Sequence, residues 1–160
     1  MTERDEHITA ALVVLGPLYN GWIERQLPAE MRGVQARLLV LIRHRPWLPL
    51  RAYAEGIGIS KAHMTTLVDE CTRAGWVVRE ADTRDRRAYR LALSDAGLTE
   101  AERIWEHYVA QTARALHDIP EPHREVFLAV CARLTERLHD LGCGSHELGC
   151  TKDDHADSDS

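Results

Sequence analysis

The chain has no long apolar run. Nowhere in its 160 residues is there anything near the roughly 20 consecutive apolar residues that a membrane-spanning helix requires. No secretory leader is visible, because Met1 to His7 is acidic and no apolar stretch with a cleavage site follows. A cytoplasmic place and no membrane partner are therefore expected. Familiar catalytic motifs are missing too. There is no Gly-rich phosphate loop behind a strand, no Gly-x-Ser-x-Gly elbow and no His-Glu-x-x-His. Nine His and 25 acidic residues make isolated acid–base pairs easy to find by chance, so no enzyme is expected. No internal repeat is visible. Cysteine is scarce, with four in all: Cys71, Cys131, Cys143 and Cys150. In a reducing compartment, paired cysteines suggest metal or redox chemistry more than structural disulfides.

What is present is an ordinary globular composition, 44% apolar and 28% charged, in a chain long enough to bury a core without covalent staples. The net charge of −5 is an average that hides a strong segregation. Residues 32–90 carry twelve Lys and Arg against six acids, a net +6, between ends of net −3 and −8. A basic middle is a local footprint for a polyanion whatever the total charge.

Apolar periodicity divides the chain. His7–Leu27 reads as a helix, with a possible kink at Gly16-Pro17, and Val34–Arg43 as a second. After the breaker Arg45-Pro46-Trp47-Leu48-Pro49, a short helix spans Leu50–Ile57 and closes at Gly56 or Gly58. Ser60 caps the next helix, which stops at Ala74-Gly75. The period then changes. Trp76-Val77-Val78 and the alternating Tyr89, Leu91 and Leu93 flank a polar loop, as in a β-hairpin. Ser94 or Asp95 caps a long helix to about His117. A last helix runs from about His123 to Leu141, and Asp153–Ser160 reads as an acidic, disordered tail. The expected fold is mainly α with a small β-hairpin wing: a winged helix-turn-helix (residues 32–94) with flanking dimerisation helices (7–31 and 95–141) and a Cys/His-containing acidic tail (142–160).

Leu50–Ala74 has the physics of a helix-turn-helix, two helices joined by the Gly-bearing turn Gly56-Ile57-Gly58-Ile59. Its second helix turns Leu67, Val68 and Cys71 inward. That leaves Ser60, Lys61, Ala62, His63, Thr65 and Thr66 free at the N-terminal end, where a recognition helix meets base edges and phosphate. The hairpin tip reads Arg84-Asp85-Arg86-Arg87. Three arginines there would repel one another unless an anion approached, and a narrow minor groove supplies one. Asp85 is suited to hold one guanidinium in place.

These segments resemble the MarR family. The resemblance rests on Ile59-Ser60-Lys61-Ala62-His63-Met64-Thr65-Thr66-Leu67-Val68-Asp69, on Gly75-Trp76-Val77-Val78-Arg79, on Asp82 to Ala88, and on Leu93-Ser94-Asp95-Ala96-Gly97. Asp85, Arg87, Leu93 and Ser94 fill the family's wing pattern of Asp-x-Arg and a strand ending in Leu-Ser or Leu-Thr. The resemblance covers about residues 8–141. It implies a homodimeric transcription regulator, usually a repressor, on a pseudo-palindromic double-stranded DNA operator, released by a small molecule or by oxidation. It also implies that the first and last helices form the dimer interface, that Arg87 enters the minor groove and that Asp85 orients it. Thr66, where the family often has Arg, and His63, where it often has Thr, depart from the pattern and imply a different operator. The alternative is a helical dimeric interaction module that binds no DNA.

Two sensing sites are open. Beyond the core, Cys143, His146 and Cys150 follow His139 at short spacings that suit zinc. An iron–sulfur cluster that recruits Cys131, a reversible disulfide, or no chemistry at all remain as alternatives. The resemblance also implies a small-molecule effector pocket between the dimer helices and the winged domain, for which Tyr19, Trp22 and Trp47 are candidate lining residues. Cys71 and Cys131 sit among apolar residues and are expected in the core.

Overall fold

A computed structural model describes residues 2–81 and 89–140, and the side chains of all of these except 139 and 140. The order is α1 (Glu3–Glu24), α2 (Gly33–His44), α3 (Leu50–Ile57), α4 (Lys61–Arg73), β1 (Val77–Ala81), β2 (Tyr89–Leu93), α5 (Asp95–Ala115) and α6 (Glu121–Asp140). This is the expected winged helix-turn-helix, three short helices and an antiparallel hairpin between longer helical arms.

Local chemistry sets the boundaries. α1 begins four residues before the apolar rhythm does, because Thr2 and Asp5 form a reciprocal capping box. The Asp5 amide donates to Thr2 Oγ1 at 3.2 Å, and the Thr2 amide donates to Asp5 Oδ2 at 2.7 Å. The helix runs on through Pro17, which has no N–H to offer the carbonyl one turn back. α3 closes at Gly58 rather than Gly56. Gly58 takes the left-handed conformation (φ 77°), and the Ile59 amide reaches back to Ala54 O at 3.0 Å, a Schellman closure that favours glycine. Gly75 (φ 77°) closes α4 in the same way, with the Trp76 amide on Cys71 O.

The hairpin pairs Val77 with Leu93 and Ala81 with Tyr89. β1 therefore extends three residues past the apolar run, since ladder hydrogen bonds hold Arg79 and Glu80 regardless of their side chains. Val77 and Leu91 point into the core, which joins Leu38, Leu39 and Ile42 of α2, Tyr53 of α3, the inner face of α4 and Ile104 of α5. Ser94 is the knot between wing and arm. Its hydroxyl donates to Gly75 O (2.5 Å) and accepts from the Gly97 amide (3.0 Å), while its own amide donates to Trp76 O (3.0 Å). A Cβ on Gly97 would collide with the Trp76 carbonyl. The Ser-x-x-Gly spacing is thus a packing requirement: the first turn of α5 lies directly on the backbone that starts the wing.

The arms differ from this core. Every residue from Thr2 to Asn20 is exposed, and so is nearly all of α6 up to Leu138. Cys131, expected in the core, is only half-buried, because no described element covers its face of α6.

Candidate nucleic-acid interface

α4 has two opposite faces. Met64, Leu67, Val68 and Cys71 are fully buried, and Lys61, Ala62, His63, Thr65, Thr66 and Asp69 are exposed. The buried face anchors the helix against α2, α3 and the hairpin, so the exposed face is held rigidly outward. Ser60 caps the helix by accepting the His63 amide at 3.2 Å, which leaves the amides of Lys61 and Ala62 at a positive helix end. Thr65 Oγ1 donates to Lys61 O at 3.1 Å and Thr66 Oγ1 to Ala62 O at 3.4 Å. With their protons turned back onto the helix, both hydroxyls offer acceptor lone pairs and methyl groups outward.

The structure brings Ser60, Lys61, Ala62, His63, Thr65 and Thr66 together on the first two turns of α4. The wing residues Arg84, Asp85, Arg86 and Arg87 lie outside the described residues, between the paired ends Ala81 and Tyr89. Sequence reasoning passed over a contact between wing and helix. Arg79 on β1 forms an ion pair with Asp69 on α4 and lies 5.0 Å over the Tyr89 ring on β2. The visible signal was an acid on the outer face of a helix otherwise suited to an anion. Such an acid calls for a cation to offset it, and Arg79 is that cation.

The sensing residues separate. Cys143, His146 and Cys150 lie outside the described residues. Cys71 is buried, and desolvation pushes its thiol up to about 11, so it is not a reactive thiolate at neutral pH. Tyr19 lines a cleft of about 420 Å³ with Trp105, Tyr108, Thr112, Leu116 and Arg124, and its hydroxyl is 2.7 Å from Thr112 Oγ1. Trp22 stands beside Tyr19, ring centroids 6.4 Å apart, but does not line that cleft. Trp47 is away from it, half-exposed in the loop after α2 with a left-handed backbone (φ 68°).

A basic middle segment, a capped helix with a bare outer face and a hairpin knotted to the next helix define a winged helix-turn-helix. Comparison with known proteins makes the likeness specific: residues 33–89 match the model of the MarR family. The chain is 21% identical over 113 residues to the HTH-type transcriptional regulator YwhA of Bacillus subtilis, covering 71% of this chain and 81% of that protein. Among solved structures it is similar to a MarR protein from Peptoclostridium difficile (TM-score 0.71, 18% identity, 88% and 92% of the two chains). It is also similar to CouR from Rhodococcus jostii bound to p-coumaroyl-CoA (TM-score 0.66, 23% identity, 88% and 95%).

Proposed function

We propose that this protein is a sequence-specific DNA-binding transcription regulator, acting as a homodimeric repressor on a pseudo-palindromic operator. The observation that carries this reading is the bare N-terminal face of α4, held outward by a wholly apolar inner face. Each recognition helix enters a major groove, where Thr65 and Thr66 offer acceptors and methyl groups to base edges. Arg87 reaches the flanking minor groove, and Lys61 with the N-terminal amides of α4 meets phosphate. The second copy covers the apolar residues that α1 and α6 leave in water, among them Val13, Leu18, Phe127 and Leu128. The Tyr19 cleft, with its aromatic walls and Arg124, suits a small effector with an aromatic part, and its position against α1 and α5 lets an occupant shift the arms.

Fluorescence anisotropy on duplexes selected from a random pool tests the reading. Binding is expected to weaken steeply with salt, and Arg87→Ala is expected to cost about 1–3 kcal/mol across sequences. A protein that retains no duplex at low salt is the interaction module instead. Wild-type affinity in Arg87→Ala removes the wing from the mechanism.

A further inference from the structure

The join between α1 and the reading head is small, whereas α5 packs along the head through buried Ala101 and Ile104. α1 is exposed along almost its whole length, and only its last turn enters the core, through buried Ile23 and half-buried Glu24. The Glu24 carboxylate occupies the space over Gly33, the first residue of α2, where any Cβ would overlap it. A carboxylate there also meets the positive end of α2. One turn along α2, Arg37 Nε lies 3.0 Å from Glu24 Oε1, as an ion pair rather than a directed hydrogen bond. Nη1 of the same guanidinium donates to Ile57 O at 3.4 Å. Ile57 is the last residue of α3, next to the left-handed Gly58 that turns the chain toward α4. One side chain therefore touches both the end of the arm and the start of the helix-turn-helix turn. Beside it is a cavity of about 220 Å³, lined by Arg37, Val40, His44, Gly56, Ile57 and Tyr108. The Tyr108 hydroxyl has no hydrogen-bond partner among the described residues. The guanidinium thus has room to leave either partner.

We propose that Glu24, Arg37 and the Ile57 carbonyl form a coupling joint that fixes the angle of α1 to the reading head, and with it the spacing at which two heads meet DNA. This rests on the dimeric DNA-binding reading above. Both members of the ion pair are about 30% exposed, and such pairs contribute little to folding. What the joint contributes is orientation. Two heads gain from a common duplex only if their separation matches the half-site spacing, about one helical turn or a multiple of it. A loose joint spreads that separation and lowers the effective concentration of the second head. Arg37 and Glu24 are positioning residues in this scheme and touch no base.

The test compares a full site, selected by the wild-type protein from a random pool, with its isolated half-site at low salt. Arg37→Met is expected to keep the wild-type oligomeric mass and half-site affinity, while full-site affinity falls about tenfold through lost avidity. Glu24→Gln is expected to fall in the same sense but less, because Arg37 keeps its bond to Ile57. Arg37→Lys, which retains a cation for Glu24, is expected to recover part of the loss. Equal losses on half and full site in Arg37→Met and Glu24→Gln would mean local damage to the head and overturn the joint, as would full-site binding at wild-type strength in both. A wild-type protein that selects no duplex overturns the DNA-binding reading and the joint's role with it.

Discussion

The reading head and the helical arms use the same kind of residue to opposite ends. In α2, Leu38, Leu39 and Ile42 are at most 2% exposed, whereas in α6 Phe127 and Leu128 are 51% and 70% exposed. The head closes its core within one chain, through helices of 8 to 13 residues, a hairpin and the buried Ala101 and Ile104 of α5. The arms are longer, 20 to 22 residues, and α1 and α6 leave most of their apolar side chains exposed. An apolar stripe at helical spacing therefore does not say where its cover comes from. In the head it comes from elements of the same chain, and along α1 and α6 no described element supplies it, which is the place the proposed second copy fills.

The largest expected effect tests the head. Leu67→Ala empties a fully buried site and is expected to cost about 2–5 kcal/mol, measured by urea unfolding and independent of protein concentration. Phe127→Ala tests the arm. It is expected to cost up to about 3 kcal/mol per chain, but as lost self-association, so its unfolding midpoint should move with protein concentration while sedimentation reports a lighter species. A concentration-independent effect of that size would break the contrast. Ser94→Ala removes the cap of α5 and the bond to Gly75 O and is expected to cost about 1–2 kcal/mol, with the loss seen first as faster amide exchange at the base of the hairpin.

The smallest effect appears only in alkali. Burial raises the Cys71 thiol from 9.0 to about 11. Between those values the unfolded chain gives up this proton and the folded chain keeps it. The contribution is therefore whole below pH 9 and falls as pH rises toward 11. Cys71→Ala should flatten that part of the stability–pH curve, and the native thiol should alkylate slowly at neutral pH. Fast alkylation would show that α4 is less firmly seated than its buried face implies.

Much of the head was legible from local signals. Ser60, Ser94 and the glycines after α3 and α4 act within a few residues, so sequence reasoning found the helices they bound. The choice between Gly56 and Gly58 needed the backbone, because either spacing fits the apolar rhythm and only one residue takes a positive φ. The start of α1 was missed because its signal is the Thr2/Asp5 cap, which lies outside the apolar period. The exposed face of α4 was readable as a complement to its apolar face. The Asp69–Arg79–Tyr89 contact was not, since it joins three elements through side chains ten residues apart in each step. Tyr19, Trp22 and Trp47 lie apart for a similar reason: aromatics announce burial or stacking, but which of them share a cavity depends on how α1 lies against α5.

By itself the sequence determined the class of element at each position, the basic charge of the middle segment, and the faces of α4, because these depend on neighbours within one or two turns. Tertiary structure alone decided that Gly97 must lack a side chain against Trp76, that Glu24 fills the space above Gly33, and that Arg37 reaches from the arm to the helix-turn-helix turn. Each of these depends on two segments meeting at close range, and no local period encodes the distance between them.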